Sequence, residues 1–177
     1  MSGVHPYVKL ARVTVERLLN GDLAPVSGAE VENDAGLWNM ERACFVSIKT
    51  LTGSLRGCIG TIVPTRRSLD LEIIDNAAAA STRDPRFPPM TPPELKETVF
   101  SVDVLSPPEP VSDRGELDPS VWGVIVRQGS RRGVLLPDLE GIDTVEEQLA
   151  IAARKAGIVN PGSGLTIERF RVDRHKE

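Results

Sequence analysis

The segment Leu55-Arg56-Gly57-Cys58-Ile59-Gly60 holds the residue best suited to chemistry, a thiol flanked by glycines. A thiol acts as a nucleophile in its thiolate form, which nearby cations favour. Glycine inside a strand weakens it and marks a bulge or a close approach by a ligand, and Gly57 and Gly60 do this on both sides of Cys58. Upstream, Cys44, Val46 and Ile48 alternate with Phe45, Ser47 and Lys49, the period-two pattern of a strand with one buried face. If Thr52-Gly53 closes a two-residue hairpin loop, Val46 faces Ile59, Ile48 faces Gly57 and Thr50 faces Leu55 on the apolar side. The other side then pairs Ser47 with Cys58 and Lys49 with Arg56. Two cations placed opposite each other repel unless an acid or an anionic ligand lies between them. This register therefore predicts surroundings that lower the thiol pKa. The competing reading makes Cys58 a small core residue, since free cysteine is among the most buried types. Cys44, on the apolar side, reads as core.

Asp84-Pro85-Arg86-Phe87 is a second candidate. Its acid and guanidinium, held by prolines, suit the positioning of a substrate or partner. The plainer reading is a rigid turn with an internal ion pair. Asn76 precedes four successive alanines and is placed either to aim an amide at a cleft or to be solvated. Arg127, Arg131 and Arg132 form a small basic cluster that reads as a solvated hairpin end. Both histidines, His5 and His175, lie near the ends of the sequence, which makes a Cys–His pair at Cys58 a poor expectation. No dinucleotide fingerprint, P-loop, HExxH, Cys-x-x-Cys or Gly-x-Ser-x-Gly occurs.

The elements that must position these residues follow from pattern. A helix is expected over Pro6–Leu19, stopped by Asn20-Gly21, then an irregular connection over 21–40. The hairpin's second strand is expected over Ser54–Val63. A helix over Arg67–Thr82 carries the stripe Leu69, Ile73, Ala77 and Ala80. Thr91 to Glu94 forms a capping box, and a strand through Phe100, Val102 and Val104 ends at Pro107-Pro108. A second hairpin spans Val121–Gln128 and Arg131–Leu136. A helix capped by Thr144 and Glu147 ends at Gly157, and Leu165–Val172 reads as a closing strand. No internal repeat is visible. Hairpins and helices without regular strand–helix alternation point to one α+β domain over residues 1–177, built on mostly antiparallel sheet with flanking helices.

The 177 residues suffice to bury a core without disulfides or metal, and two cysteines make no disulfide framework. No run approaches the ~20 apolar residues of a membrane helix, and Met1-Ser2-Gly3-Val4-His5-Pro6 lacks the form of a secretion signal. The expected location is the cytoplasm. A net charge of −4 argues against nucleic acid as a general partner.

Taken together, the chain resembles the family called AmmeMemoRadiSam system protein A, built on the AMMECR domain. The resemblance rests on Phe45-Val46-Ser47, LRGCIG with Thr61, Asn76-Ala77, Asp84-Pro85-Arg86-Phe87, Glu94-Leu95 and Ser101 to Leu105. It continues through Gly123 to Val126, Arg132 to Pro137, Lys155-Ala156-Gly157, Arg169-Phe170 and Arg174-His175. Trp122 departs from it, standing where Tyr or His is expected. The resemblance implies two unequal lobes with a cleft near the LRGCIG strand. It also implies two partners, a MEMO-like protein and a radical S-adenosylmethionine enzyme. No cofactor of its own is expected, since two cysteines cannot supply a cluster's usual four thiolates. The expected working group is Cys58, with Lys49, Arg56, Gly57, Gly60, Asn76, Asp84 and Arg86 around it. A more speculative variant places a backbone radical on Gly57 or Gly60. The alternatives are a non-catalytic docking module, or a regulatory factor linked to transcription, replication, repair or translation.

Overall fold

Alternation from Cys44 onward and the glycine-bounded run after it produce strands β1 (Cys44–Thr50) and β2 (Leu55–Gly60), an antiparallel hairpin. The structure is a computed structural model that describes residues 3–22, 24–159 and 164–177. The signal-peptide reading at Met1-Ser2 and the Leu23 part of the expected connection lie outside the described residues.

Helix α1 (Pro6–Leu19) starts where Pro6 pre-sets φ, and the His5 ring accepts the Tyr7 N–H at 3.3 Å as its cap. The 21–40 connection contains two single-turn helices, α2 (Gly28–Val31) and α3 (Ala35–Trp38), too short to leave a periodic signal. Helix α4 (Leu69–Thr82) buries Leu69, Ile73, Ala77 and Ala80 as predicted, starting at Leu69 rather than Arg67. The Thr91–Glu94 capping box opens a 3₁₀ turn, Pro92–Glu97, which leads into β3 (Thr98–Leu105). There follow β4 (Glu109–Pro110), β5 (Gly123–Gln128), β6 (Arg131–Leu135), α5 (Val145–Lys155), β7 (Thr166–Phe170) and β8 (Val172–Lys176). The single closing strand expected over Leu165–Val172 is thus two strands. β4, just past Pro107-Pro108, is two residues long and leaves no periodic signal in the sequence.

The chain forms two units. The first comprises the described residues of Met1–Val104 together with Asp173–Glu177, and the second comprises Leu105–Val172. In the first, the sheet order is β2-β1-β3-β8, and α1 and α4 cover one face around Leu10, Val46, Ile48, Ile73 and Phe100. Each such fully buried side chain contributes about 1.5–3 kcal/mol. In the second, the order is β4-β7-β5-β6, with α5 over Val124, Val126 and Leu135.

The two units repeat one connectivity, although no repeat is visible in the sequence. Hairpin, helix and third strand run β1-β2-α4-β3 in one and β5-β6-α5-β7 in the other, and in each sheet the first strand lies between the other two. The packing repeats as well. A Cβ on Gly57 would meet the Ala80 carbonyl oxygen at 2.1 Å, and one on Gly133 would meet the Ala152 oxygen at 1.9 Å. One turn before each alanine a buried amide ties the helix to the start of the hairpin. Asn76 Nδ2 donates to the Cys44 carbonyl at 3.0 Å, and Gln148 Nε2 to the Trp122 carbonyl at 2.7 Å. Sequence similarity is lost because only a glycine, an alanine and an amide are needed at these contacts.

Candidate functional site

The hairpin register is as predicted from Val46↔Ile59 to Ile48↔Gly57, and then slips so that Lys49 faces Leu55. Arg56 is the extra residue of a bulge, and a bulge re-aims a side chain. This overturns the expected Lys49–Arg56 pair and the two-residue loop at Thr52-Gly53. Lys49 is exposed. The Arg56 guanidinium turns to Glu94, with Nε 2.7 Å from Oε1, and donates from Nη2 to the Pro88 carbonyl at 3.0 Å. Its Nη1 is buried with no hydrogen-bond partner among the described residues. The salt bridge with Arg56 brings the Glu94 carboxyl down to about 2, helped by its bonds to Thr91.

The face of the first sheet away from α4 carries a row of small side chains. Ser47 on β1 lies opposite Cys58 on β2 and opposite Ser101 on β3. Neighbouring strands are ~4.8 Å apart, so the three form one short shelf. All are partly exposed, and the Ser47 hydroxyl donates to the Cys58 sulfur at 3.1 Å. In the next row the Phe45 ring lies over Gly60, where a Cβ would meet it at 2.3 Å. Cys58 is thus neither a core residue nor freely solvated.

Cys58's backbone N–H and C=O point off the open edge of β2, and Asp84 and Arg86 close that edge. Asp84 Oδ2 accepts the Cys58 N–H at 2.9 Å, and Arg86 Nη2 donates to the Cys58 carbonyl at 3.1 Å. The two side chains are themselves paired at 2.7 Å. They act on this residue as a neighbouring strand would. Asp84 is 4 % exposed, and Arg86, then the Cys58 and Arg86 backbone N–H groups, hold its carboxyl far below the usual carboxylate range. The Arg86 side chain is 53 % exposed. Its guanidinium holds its proton more firmly than usual, chiefly through Asp84 and in smaller part through Cys58. The cation bonded to Cys58, through its carbonyl, is therefore Arg86, not Lys49 or Arg56.

Other expected residues are accounted for by packing. Gly57 and Gly60 make room for the Ala80 carbonyl and the Phe45 ring, which explains both glycines without a ligand. Gly57 is buried, which removes the motive for a radical there. Asn76 is buried with its amide on Cys44, so it fixes β1 rather than facing solvent. Cys44 is core, and burial pushes its thiol up to about 12. His175 stacks on His5 at 3.8 Å and lies on β8, with β3 and β1 between it and β2, so no Cys58–histidine pair forms. Among the described residues, no group of three or more His, Cys, Asp or Glu is placed to hold a metal.

Sequence reasoning missed Ser101, Glu72 and the ion pair that ties the capping-box residue Glu94 to Arg56. Ser101 showed its polar face in the alternation of β3, but only pairing with β1 sets it beside Ser47. Glu72 lies in the first turn of α4, where an acid is ordinary and carries no signal in the sequence. It is 1 % exposed and accepts the Thr61 and Thr65 hydroxyls and the Thr65 and Arg66 N–H groups at 2.5–3.0 Å, pinning the loop that follows β2. The second unit provides an internal control. At the positions matching Ser47 and Cys58 it carries the cross-strand pair Ile125 and Val134, so the shared scaffold does not require a hydroxyl and a thiol there.

The fold and this site define an antiparallel α+β protein that holds a partly exposed cysteine on a clamped edge strand. The AMMECR1 family model matches residues 8–175, and the chain belongs to that family. A protein of Thermotoga maritima is 52 % identical over 99 % of this chain and its own full length. One from Clostridium acetobutylicum is 47 % identical over 97 % of this chain, which spans only 36 % of that protein. Among solved structures, an uncharacterized protein from Pyrococcus horikoshii is 29 % identical, with a TM-score of 0.84 over 97 % of this chain and 89 % of its own. No described helix is long and apolar enough to cross a membrane.

Proposed function

We propose that this AMMECR1-family protein handles a substrate through Cys58, working in the cytoplasm as one part of a three-protein system. The other parts are a MEMO-like protein and a radical S-adenosylmethionine enzyme, which supply the cofactor chemistry. The observation that carries the reading is the partly exposed Cys58, its sulfur bonded to the Ser47 hydroxyl and its carbonyl to the Arg86 guanidinium. A hydroxyl and a cation both stabilise negative charge on sulfur, and no histidine base is needed for that. Ser101 extends the shelf to receive the substrate. Three roles fit the thiol: nucleophile, former of a transient adduct, and hydrogen-atom donor to a radical made by the partner.

The test is the rate at which iodoacetamide modifies Cys58 in the native protein, followed by complementation of a strain lacking the protein. Arg86→Ala and Ser47→Ala should each slow alkylation, and Cys58→Ala should fail to complement while remaining folded. Full complementation by Cys58→Ala would sink the reading. If Arg86→Ala then failed, a docking role for the Asp84–Arg86 edge would replace it, a reading supported by the half-exposed Arg86 side chain. A regulatory role on nucleic acid is weaker, given the net charge of −4.

A further inference from the structure

We propose that the outer edge of β6 is a docking site for an extended, acidic segment of a partner protein, which adds to the second sheet as a further strand. β6 is the last strand in the order β4-β7-β5-β6. Gln128 and Arg131 flank the two-residue turn Gly129-Ser130, with positive φ at Gly129 only, and so form the hydrogen-bonded pair that closes this hairpin. Hydrogen-bonded and non-bonded pairs then alternate along the ladder. Arg132 and Val134 fall on the non-bonded pairs, and their N–H and C=O groups point away from β5. Among the described residues no hydrogen bond reaches these groups.

The first unit shows what a closed edge looks like in the same scaffold. β2 occupies the place of β6, and its edge is interrupted by the Arg56 bulge and bonded by Asp84 and Arg86. β6 has neither a bulge nor a proline, two of the usual devices that keep an edge strand from pairing. The chain thus closes one of two equivalent edges and leaves the other regular.

Charge selects the occupant. Arg127, Arg131 and Arg132 cluster at this hairpin. Arg127 is held by Glu168 at 3.0 Å, and Arg131 donates to the Gly157 carbonyl at 2.6 Å. Arg132 has Nε and Nη2 buried without a hydrogen-bond partner among the described residues, which leaves a charge for an incoming carboxylate to balance. Asp84 plays that part on β2, where a carboxylate accepts an edge N–H. An added strand would place alternate side chains beside Arg132 and the rest toward the side of Gly133 and α5, so a segment alternating acidic and apolar residues fits. A second copy of the chain fits worse, because it would bring another Arg131-Arg132 to an edge already carrying three arginines.

The test uses the full-length protein with two fluorescein-labelled peptides, EVEVEV and KVKVKV, read by polarisation and by residue-resolved amide exchange. The expected result is that EVEVEV binds and slows exchange of the Arg132 and Val134 amides by about tenfold or more. Binding should weaken between about 50 and about 200 mM salt, and KVKVKV should not bind. Val134→Pro removes an outward N–H without touching the β5 pairing, so it should keep the fold and abolish binding. Unchanged exchange at Arg132 and Val134 with EVEVEV present overturns the proposal, with no variant needed. So does equal binding by Val134→Pro, a dimer in sedimentation that this substitution dissociates, or a single-stranded oligonucleotide that displaces the peptide without protecting Val134.

Discussion

Asp84→Asn isolates the edge clamp on Cys58. The wild-type carboxylate accepts the Cys58 N–H at 2.9 Å, the Arg86 N–H at 3.1 Å and two guanidinium bonds at 2.7 and 2.9 Å. Breaking a buried ion pair costs about 3–5 kcal/mol when the remaining charge is stranded. Here Arg86 is 53 % exposed and rehydrates, so that figure must be discounted. What remains is the loss of charge-assisted bonding at a buried acceptor, about 1–3 kcal/mol at neutral pH. In a protein of this size that lowers Tm by roughly 2–4 °C per kcal/mol. The sign with pH follows from the depressed carboxyl. A folded-state pKa below the unfolded value of ~3.9 adds stability that is fully present above ~3.9 and is lost as pH falls toward the folded value. Urea midpoints of wild type and Asp84→Asn, measured from pH ~7 to ~2.5, should therefore converge on the acid side. A gap that is constant with pH, or below ~0.5 kcal/mol throughout, would refute the clamp.

Other consequences are as direct. Native-state alkylation should label Cys58 and spare Cys44, which is buried with its thiol pushed up to about 12; equal labelling before unfolding contradicts the assignment. Gly57→Ala and Gly133→Ala each force a methyl onto a helix carbonyl at 2.1 and 1.9 Å and should destabilise by about 3 kcal/mol or more. Gly53→Ala, at φ 88° in open space, should cost about 1 kcal/mol, and calorimetry reads the difference. Burial, then the charge of His175, lowers the His5 pKa, so folding binds fewer protons there and stability should fall as pH drops below ~6.5. Replacing His175 with Gln should soften that loss, and an unchanged acid limb would show the stack to be irrelevant.

The local alphabet of this protein is written in its residue order. Helices α1, α4 and α5, the two hairpins and the capping boxes at Thr91 and Thr144 are legible because each depends on contacts within a few residues, where period and cap chemistry are written directly. So was the pairing of Ser47 with Cys58, since a slip of the whole hairpin would have turned Val46 and Ile48 out of the core. The features that emerge only on folding depend on partners far along the chain. The bulge that frees Arg56 from Lys49 exists because Glu94 and the Pro88 carbonyl hold its guanidinium. Asp84 and Arg86 became an edge clamp because a strand 26 residues earlier presents Cys58 to them. The glycines around Cys58 read as marks of a ligand, yet they serve a helix carbonyl and an aromatic ring. Nothing in one-dimensional spacing separates these uses, since glycine records only that something comes close, and the fold determines what that is.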